Sequence, residues 1–257
     1  MFSSFQAPRA WGRGLFVGET DANGDEVPVY PSYTQFGLDV TNPVSVPATG
    51  SNVYTVDSDG NALQTGTLNG PTRSSADGIS TLYFDGGDDI RFDPFEFTGQ
   101  VSFNYWVKLE TKTNIHTLFS NTWANLQSDG FKVCVNTWTT NDGSINMEIG
   151  NGVDGSAVRT AAGDIVPRDG TEWAMCTYAL SFADSVNRFW VNGVEYSTIN
   201  TSVPDPQTSS QWWVGQMAGS SYGMLGHLSQ MQFWGGLLTN AEVQTIYNDT
   251  KSRYPGH

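Results

Sequence analysis

Apolar and polar residues alternate in short runs along most of the chain beyond residue 80, and clusters of small polar residues, glycine and proline separate the runs. Alternation with a period of two puts the apolar side chains on one face of a strand, and repeated short runs are typical of an antiparallel sandwich. We therefore predict an all-β domain. Its predicted strands are Thr81 to Phe84, Ser102 to Leu109, His116 to Ser120, Phe131 to Asn136, Ile145 to Ile149, Trp173 to Leu180, Arg188 to Val191, Val194 to Thr198, Trp212 to Gly215 and Gly226 to Trp234.

The pattern changes near the C-terminus, where one helix is predicted. Thr239 and Glu242 are spaced as a capping box, in which the threonine hydroxyl accepts from the glutamate backbone and the glutamate carboxylate reaches back. The helix is expected to run to about Arg253. Its apolar face is predicted to consist of Val243, Ile246 and Tyr247.

The N-terminal part of the chain has a different composition. Residues 1–50 contain five prolines, and proline cannot donate to a β-ladder, so this stretch is predicted to be an extended arm. Val53 to Thr67 is typical of a hairpin, with Gly60 supplying the positive φ of its turn. The predicted division is therefore an extended docking arm with a β-hairpin, residues 1–78, followed by a β-sandwich, residues 79–257.

Several segments beyond residue 80 resemble a known family, in the same order along the chain. Leu82 to Ile90 resembles its opening strand and turn, Val101 to Lys108 its strand with a buried tryptophan, and Arg188 to Val194 its hairpin with an Asn-Gly turn. The family is the laminin-G-like group of concanavalin A-like lectins and glucanases. The resemblance, over about residues 80–255, implies a concanavalin A-like β-sandwich jelly roll with one short C-terminal helix. Further matching segments are Trp213 to Gly215, Gly226 to Leu228, Phe233 to Trp234 and Leu238 to Tyr247.

The charge of the chain excludes two classes of partner. There are 26 Asp and Glu against 12 Lys and Arg, which gives a formal net charge of −14. Such a charge repels phosphate backbones and anionic membrane surfaces. Neither nucleic acid nor a membrane is therefore expected to bind.

The beginning of the chain lacks the cationic start and apolar core of a signal peptide, and no membrane-spanning run of about eighteen apolar residues is present. The composition is nevertheless typical of extracellular proteins. A virion protein reconciles the two observations, because it is made in a host cytoplasm and works outside it. The two cysteines, Cys134 and Cys176, lie in apolar runs and are expected to be buried free thiols, although a disulfide stays open.

Catalytic residues are not expected. Hydrolases that share this sandwich place acidic residues at alternating positions of one strand, and retaining chemistry needs two carboxylates about 5 Å apart. The best strand here offers Glu148 alone. Gly219 to Gly223 matches the nucleophile-elbow spacing around Ser221, but a strand rather than a helix is predicted after it. The three histidines, His116, His227 and His257, share no motif spacing.

Calcium is the one cofactor that the sequence leaves open. Three turns, Asp21 to Glu26, Asp57 to Asn61 and Asp85 to Asp89, concentrate the oxygen ligands that this hard cation prefers. The same residue types also simply form turns. The candidate metal ligands are Asp85, Asp88 and Asp89.

Four aromatic residues at predicted turns or strand ends are candidates for carbohydrate binding, because the apolar face of a pyranose stacks on indole or phenol rings. The alternative, that they pack beneath loops, stays open. Trp212 and Trp213 are adjacent in a strand and must face opposite sides, so that one is available for exposure. The four candidates are Trp123, Trp138, Trp212 and Tyr222, and the mid-strand residues expected in the core are Trp106, Trp190 and Trp234.

These observations favour a non-enzymatic function. The first hypothesis is a virion structural protein, such as a bacteriophage capsid decoration, knob or fibre-associated protein. Its arm would bind capsid or other virion proteins, and its sandwich would be displayed for glycan attachment. The second is a secreted carbohydrate-binding module, and a polysaccharide-degrading enzyme is least favoured. A homo-oligomer is compatible with the first two.

Overall fold

The computed structural model describes residues 16–20, 26–30, 35–57, 61–94, 96–97, 99–111, 115–123, 125–136, 138, 141–160, 163–181, 184, 186–196, 198–199 and 211–257. The strands are β1 Phe16–Thr20, β2 Glu26–Tyr30, β3 Gln35–Asp39, β4 Asn52–Asp57, β5 Ala62–Asn69, β6 Thr72–Ala76, β7 Ile79–Asp85, β8 Asp89–Phe92, β9 Glu96–Phe97, β10 Gln100–Leu109, β11 His116–Ser120, β12 Gly130–Val135, β13 Ile145–Gly150, β14 Gly155–Thr160, β15 Ala174–Ser181, β16 Val186–Val191, β17 Val194–Tyr196, β18 Thr198–Ile199, β19 Trp212–Val214 and β20 Leu225–Trp234. They are followed by helix α1, Asn240–Thr250, and a 3₁₀ turn, Lys251–Arg253.

Two antiparallel sheets form the sandwich. In the first, called the helix-side sheet, the strand order is β17-β16-β15-β10-β20, after which β20 pairs with β7 along one half and with β3 along the other. In the second, called the loop-side sheet, the order is β4-β5-β8-β19-β11-β12-β13-β14-β18. Pairing of β3 with β4 joins the two sheets. The predicted jelly-roll sandwich is confirmed.

Aromatic rings from both sheets fill the core between them. Phe103 of β10 stacks on Phe119 of β11 with ring centroids 5.2 Å apart, and Phe233 of β20 meets Phe103 edge-on at 5.0 Å. Phe131 and Trp212 extend the same cluster, and all five side chains are at most 3% exposed. Each such ring removes about 150–250 Å² from water, so this cluster is a principal source of stability.

A second core lies on the outer face of the helix-side sheet, beneath the C-terminal helix. Trp106 and Trp190 are fully buried there, as expected for mid-strand tryptophans, but they pack against α1 rather than between the sheets. The indole of Trp106 donates to the hydroxyl of Thr250 at 3.0 Å and stacks on Tyr254 with centroids 3.9 Å apart. Trp234 is half-buried against the same cluster. The helix therefore closes this face of the sandwich.

The helix itself begins as the sequence predicts. The hydroxyl of Thr239 accepts from the backbone of Glu242, whose carboxylate accepts in return from the Thr239 backbone, so the capping box is confirmed. Val243 and Ile246 are buried in the second core and Tyr247 is half-buried. The α-helical turns end at Thr250, and the 3₁₀ turn carries the chain to Arg253.

Part of the segment assigned to the arm belongs to the sheets. Strand β3 adds to β20, β5 adds to β8 and β6 adds to β7, while Leu38 and Val53 are fully buried in the main core. The expected hairpin is present as β4 and β5, although Gly60 of its turn lies outside the described residues. The division at residues 78 and 79 therefore falls inside continuous sheet, because apolar residues before it fill the same core.

Strand β14 pairs with β13 and was not among the strands predicted from alternation.

The two cysteines, Cys134 and Cys176, are free and buried, as expected, and burial raises the pKa of each thiol to about 12. Both therefore stay protonated and unreactive near neutral pH.

Candidate functional site

The outer face of the loop-side sheet carries a row of polar side chains. Strand pairing aligns Arg91, Trp213, Ser120, Lys132 and Glu148 in register across β8, β19, β11, β12 and β13. They point away from the core because their neighbours along each strand fill it. Three of them, Ser120, Lys132 and Glu148, are nevertheless buried. Loops must therefore fold back over this part of the sheet.

A buried ion pair anchors those loops. Lys132 Nζ lies 2.9 Å from a carboxylate oxygen of Glu148, and the two side chains are only 1% and 6% exposed. The same ammonium donates to the backbone carbonyl of Asn125 at 3.1 Å, and the other Glu148 oxygen accepts the indole N–H of Trp138 at 2.6 Å. Buried charges of this kind persist only when paired and hydrogen-bonded. One ion pair thus fixes two different loops to the sheet.

A tight hairpin connects β19 with β20 beside these loops. A β-bridge joins Gln216 to Gly223, and the backbone N–H of Met217 donates to the carbonyl of Tyr222 at 3.2 Å. Gly219 occupies the left-handed region with a φ of 64°, which favours glycine. The hairpin tip, residues 219–222, is thereby held in a defined shape.

Three of the predicted aromatic residues meet at this tip, and we call Trp123, Trp138 and Tyr222 the aromatic patch. The rings of Trp138 and Tyr222 are edge-on, with centroids 4.4 Å apart and an interplanar angle of 83°. Trp123 lies directly against Gly219, where any side chain would overlap its ring. The three side chains are 64%, 42% and 38% exposed in the order Trp123, Trp138, Tyr222. They come from three separate segments of the chain.

The fourth aromatic candidate, Trp212, is not available for carbohydrate binding. Trp212 is 3% exposed and packs edge-on against Phe119 in the main core, with centroids 4.6 Å apart, so it cannot present its ring to a ligand. Its neighbour Trp213 is the one that faces outward, half-buried beneath the guanidinium of Arg91 at 3.9 Å. Alternation along the strand predicted that one of the two faces outward. Trp213 is that residue, because Trp212 packs in the core.

The three candidate calcium ligands, Asp85, Asp88 and Asp89, bond to different partners in the structure. A carboxylate oxygen of Asp88 accepts the backbone N–H of Asp85, and Asp85 in turn accepts that of Gly87, each at 2.9 Å. Asp89 pairs with Arg91 through two hydrogen bonds of 2.8 and 3.1 Å. In the described part of the chain, no three His, Cys, Asp or Glu side chains are arranged to hold a metal ion. The oxygens of these candidate ligands instead serve the turn amides and an arginine.

The other two acidic turns, residues 21–26 and 57–61, lie partly outside the described residues. Within the second, Asp57 accepts the backbone N–H of Asn61 at 2.8 Å and so serves its own hairpin.

The residues weighed for catalysis have surroundings that do not match a catalytic site. Strand β20 follows the Gly219 to Gly223 segment, and Ser221 lies exposed at the hairpin tip. Glu148 faces Lys132 and Ala157 on the neighbouring strands, not a second carboxylate. His116, by contrast, is buried, donates to the Thr111 carbonyl at 2.7 Å and accepts from a backbone N–H.

Sequence reasoning named three members of the patch but missed what fixes them. Lys132 was not singled out, and Glu148 was considered only as an isolated carboxylate. Both lie at outward positions of strands predicted from the sequence, yet their pairing depends on the register of β12 against β13. Gly219 was noted for its place in a serine motif, whereas its contact with Trp123 depends on how the hairpin folds.

Comparison with known proteins places the fold among lectin-like domains. A sequence model described as the Concanavalin A-like lectin/glucanases superfamily matches residues 84–244. No curated protein sequence matches the chain. Domain 4 of AbnA, a GH43 extracellular arabinanase from Geobacillus stearothermophilus solved with arabinotriose, has a TM-score of 0.61 at 19% identity, with 83% of this chain and 98% of that chain covered.

Two binding domains of other proteins are also similar. The ligand-binding domain of botulinum neurotoxin serotype D, solved with N-acetylneuraminic acid, gives a TM-score of 0.58 at 13% identity over 84% of this chain and 50% of that one. The binding domain of Paraclostridial Mosquitocidal Protein 1 gives 0.60 at 13% identity over 84% and 52%. At these identities the likeness shows the fold alone. Separately, no helix in the described part of the chain is long and apolar enough to span a bilayer.

Proposed function

This chain belongs to the concanavalin A-like lectin/glucanase superfamily, and we propose that it binds glycans without hydrolysing them. The proposed binding surface is the aromatic patch of Trp123, Trp138 and Tyr222. It is the place in the described structure where exposed aromatic rings from separate loops come together on a rigid support. Sugars are recognised by such rings because their apolar faces stack on indole and phenol.

One observation supports the proposal above the others. The exposed indole of Trp138 is hydrogen-bonded to a carboxylate that is itself ion-paired and buried. A ring held in one orientation loses little conformational entropy when a ligand stacks on it, so the arrangement favours binding.

The absence of catalysis is also part of the proposal. Retaining and inverting glycosidases both need two carboxyl groups flanking the scissile bond. Glu148 is hydrogen-bonded to Trp138 of the patch, and both of its oxygens are engaged, one by Lys132 and one by Trp138. A carboxylate held in this way is poorly suited to attack a sugar or to transfer a proton to it.

The proposal is tested on an array of neutral and acidic glycans, with the full chain labelled at an amine and Trp123→Ala, Trp138→Ala and Val194→Ala variants alongside it. Val194 is 56% exposed on the other sheet and serves as the matched control for loss of an exposed apolar side chain. We expect at least one glycan class to bind the wild-type and control proteins and to be lost from both tryptophan variants. Equal binding by all four proteins, or no binding, would overturn the proposal.

Hydrolysis is measured separately on the glycans that bind. Incubation of the wild-type protein with each bound polysaccharide should release no new reducing ends above the level of the Glu148→Gln variant. Release that depends on Glu148 would instead identify an enzyme and refute the non-catalytic part of the proposal.

A place in a virion, with capsid proteins as partners, stays a prediction from the sequence. It is supported by the five prolines of residues 1–50, which are typical of an extended segment. If it holds, the native protein should co-sediment with intact particles in a density gradient and resist release by moderate salt. Recovery of the native protein only in culture medium, free of particles, would favour the secreted binding module.

A further inference from the structure

We propose that the aromatic patch holds two different sugar residues of one glycan chain, so that the ligand is an oligosaccharide or a stretch of polysaccharide rather than a single terminal sugar. This inference rests on the proposed function. It follows from the separate contacts that the two tryptophans make with the hairpin tip, residues 219–222.

The two indoles contact opposite ends of the tip. Trp123 lies against Gly219 at its start, whereas Trp138 meets the ring of Tyr222 at its end. Among the described residues, the ring contact of the patch joins Trp138 and Tyr222, and none joins Trp123 to either of them. One pyranose ring covers about one indole face, so a sugar stacked on Trp138 leaves Trp123 uncovered.

Each ring also has its own support. Trp138 is fixed by Glu148, and the loop that carries Trp123 is fixed by the hydrogen bond from Lys132 to the carbonyl of Asn125. Both supports depend on the same buried ion pair, which holds the two loops to the sheet. Two stacking surfaces at a fixed spacing suit a ligand with repeating units.

The hairpin tip also carries an exposed hydroxyl group. Ser221 is exposed at the tip, whereas the hydroxyl of its neighbour Ser220 is occupied by the Met217 carbonyl at 3.1 Å and the Tyr222 backbone N–H at 3.3 Å. Along the chain, Ser221 lies between Gly219, which contacts Trp123, and Tyr222, which contacts Trp138. This side chain is therefore placed to hydrogen-bond the linkage or the hydroxyl groups beside it.

The test measures binding as a function of chain length. Isothermal titration is carried out with oligomers of one to six residues of arabinose, xylose, β-linked glucose and the sugar of the strongest array signal. The proteins are the wild type, Trp123→Ala, Trp138→Ala, Ser221→Ala and the control Val194→Ala, each first checked for an unchanged melting temperature.

For the wild type we expect affinity to rise by at least about tenfold from monomer to the longest oligomer, because a second stacking contact becomes intramolecular. Each single tryptophan variant should lose that increase. Its affinity for the monomer should stay within about threefold of the wild-type affinity. Ser221→Ala should weaken only the longer oligomers.

The inference is overturned if the wild type binds the monomer as tightly as the hexamer, or if only one tryptophan affects the longest oligomer. Either result leaves the proposed glycan binding intact. A wild-type protein that binds no oligomer and no array glycan overturns the proposed function itself, so the two failures are distinguishable.

Discussion

Trp138 and Glu148 are joined by a 2.6 Å hydrogen bond that connects an exposed indole to a carboxylate buried beneath it. The ammonium of Lys132 lies 2.9 Å from the other oxygen of the same carboxylate. Support for the aromatic patch therefore passes through one buried charge pair on the outer face of the loop-side sheet. This relationship links the stability of the fold to the shape of the proposed binding surface.

Removing the charge of Glu148 should therefore affect both the stability of the fold and the shape of the proposed binding surface. Glu148→Gln leaves the ammonium of Lys132 buried without its counter-charge, and we expect the free energy of unfolding to fall by about 3–5 kcal/mol. Urea unfolding measures the change. The matched control is Glu195→Gln, which breaks the partly exposed pair with Arg188 and should reduce stability by less than about 1 kcal/mol. Equal losses in the two variants would contradict the role assigned to the buried pair.

A side chain at Gly219 should displace Trp123. Gly219→Ala combines the strain of a positive φ, about 1 kcal/mol, with overlap of the Trp123 ring. Gly78→Ala has comparable backbone strain at a φ of 80°, but its new methyl group meets open space. We expect similar small losses of stability in the two variants, whereas only Gly219→Ala changes the tryptophan fluorescence and weakens glycan binding. Unchanged binding by Gly219→Ala would show that the contact does not set the position of Trp123.

Because Trp212 lies in the core and Trp123 on the surface, their replacement should change stability by very different amounts. Trp212→Ala removes a ring from the main core and should lower the free energy of unfolding by about 3–5 kcal/mol. Trp123→Ala removes a side chain that is 64% exposed and should change it by no more than about 0.5 kcal/mol. Chemical unfolding of both variants checks this. A large loss in Trp123→Ala would mean that the residue serves mainly to hold its loop.

The packing of the C-terminal helix against the sheet should depend on the hydroxyl of Thr250. Thr250→Val leaves the buried indole N–H of Trp106 without its acceptor, at a cost of about 1–3 kcal/mol. Thr250→Ser keeps the hydroxyl and is the control, with a smaller loss from the missing methyl group. Thermal unfolding that ranks the wild type above serine and serine above valine confirms the prediction. Equal melting temperatures for serine and valine would contradict it.

Stability should decrease as the pH falls below neutrality. Burial lowers the pKa of His116 and of His227, the latter against the opposing effect of Glu110 at 3.4 Å. The unfolded chain, with histidine pKa values of about 6.5, then binds protons that the folded chain does not. The stability that the two histidines contribute is therefore present above about pH 6.5. It is lost as the pH falls toward their pKa values in the folded chain.

Urea unfolding between about pH 7.5 and about pH 5.5 measures this effect, because most carboxylates titrate below that window. His227→Gln should weaken the dependence, since the residue that faces Glu110, Thr81 and Lys108 no longer titrates. Stability that rises on acidification would contradict the direction of both pKa shifts.

The sequence by itself determined the class of fold and most of its elements. Alternating apolar residues define strands because the side-chain period of a strand is two, and the Thr239 to Glu242 capping box defines the helix start because its hydrogen bonds are local. The candidates Trp123, Trp138 and Tyr222 were also identified from the sequence, since turn residues mark the loops that carry them.

Tertiary structure alone decided which of these residues act together. Trp212 and Trp213 have the same local pattern, and only packing between the sheets sends Trp212 into the core. The pairing of Lys132 with Glu148 and the contact of Trp123 with Gly219 join residues from different strands and loops. Register and loop docking depend on contacts between segments far apart in the chain, so no local pattern encodes them.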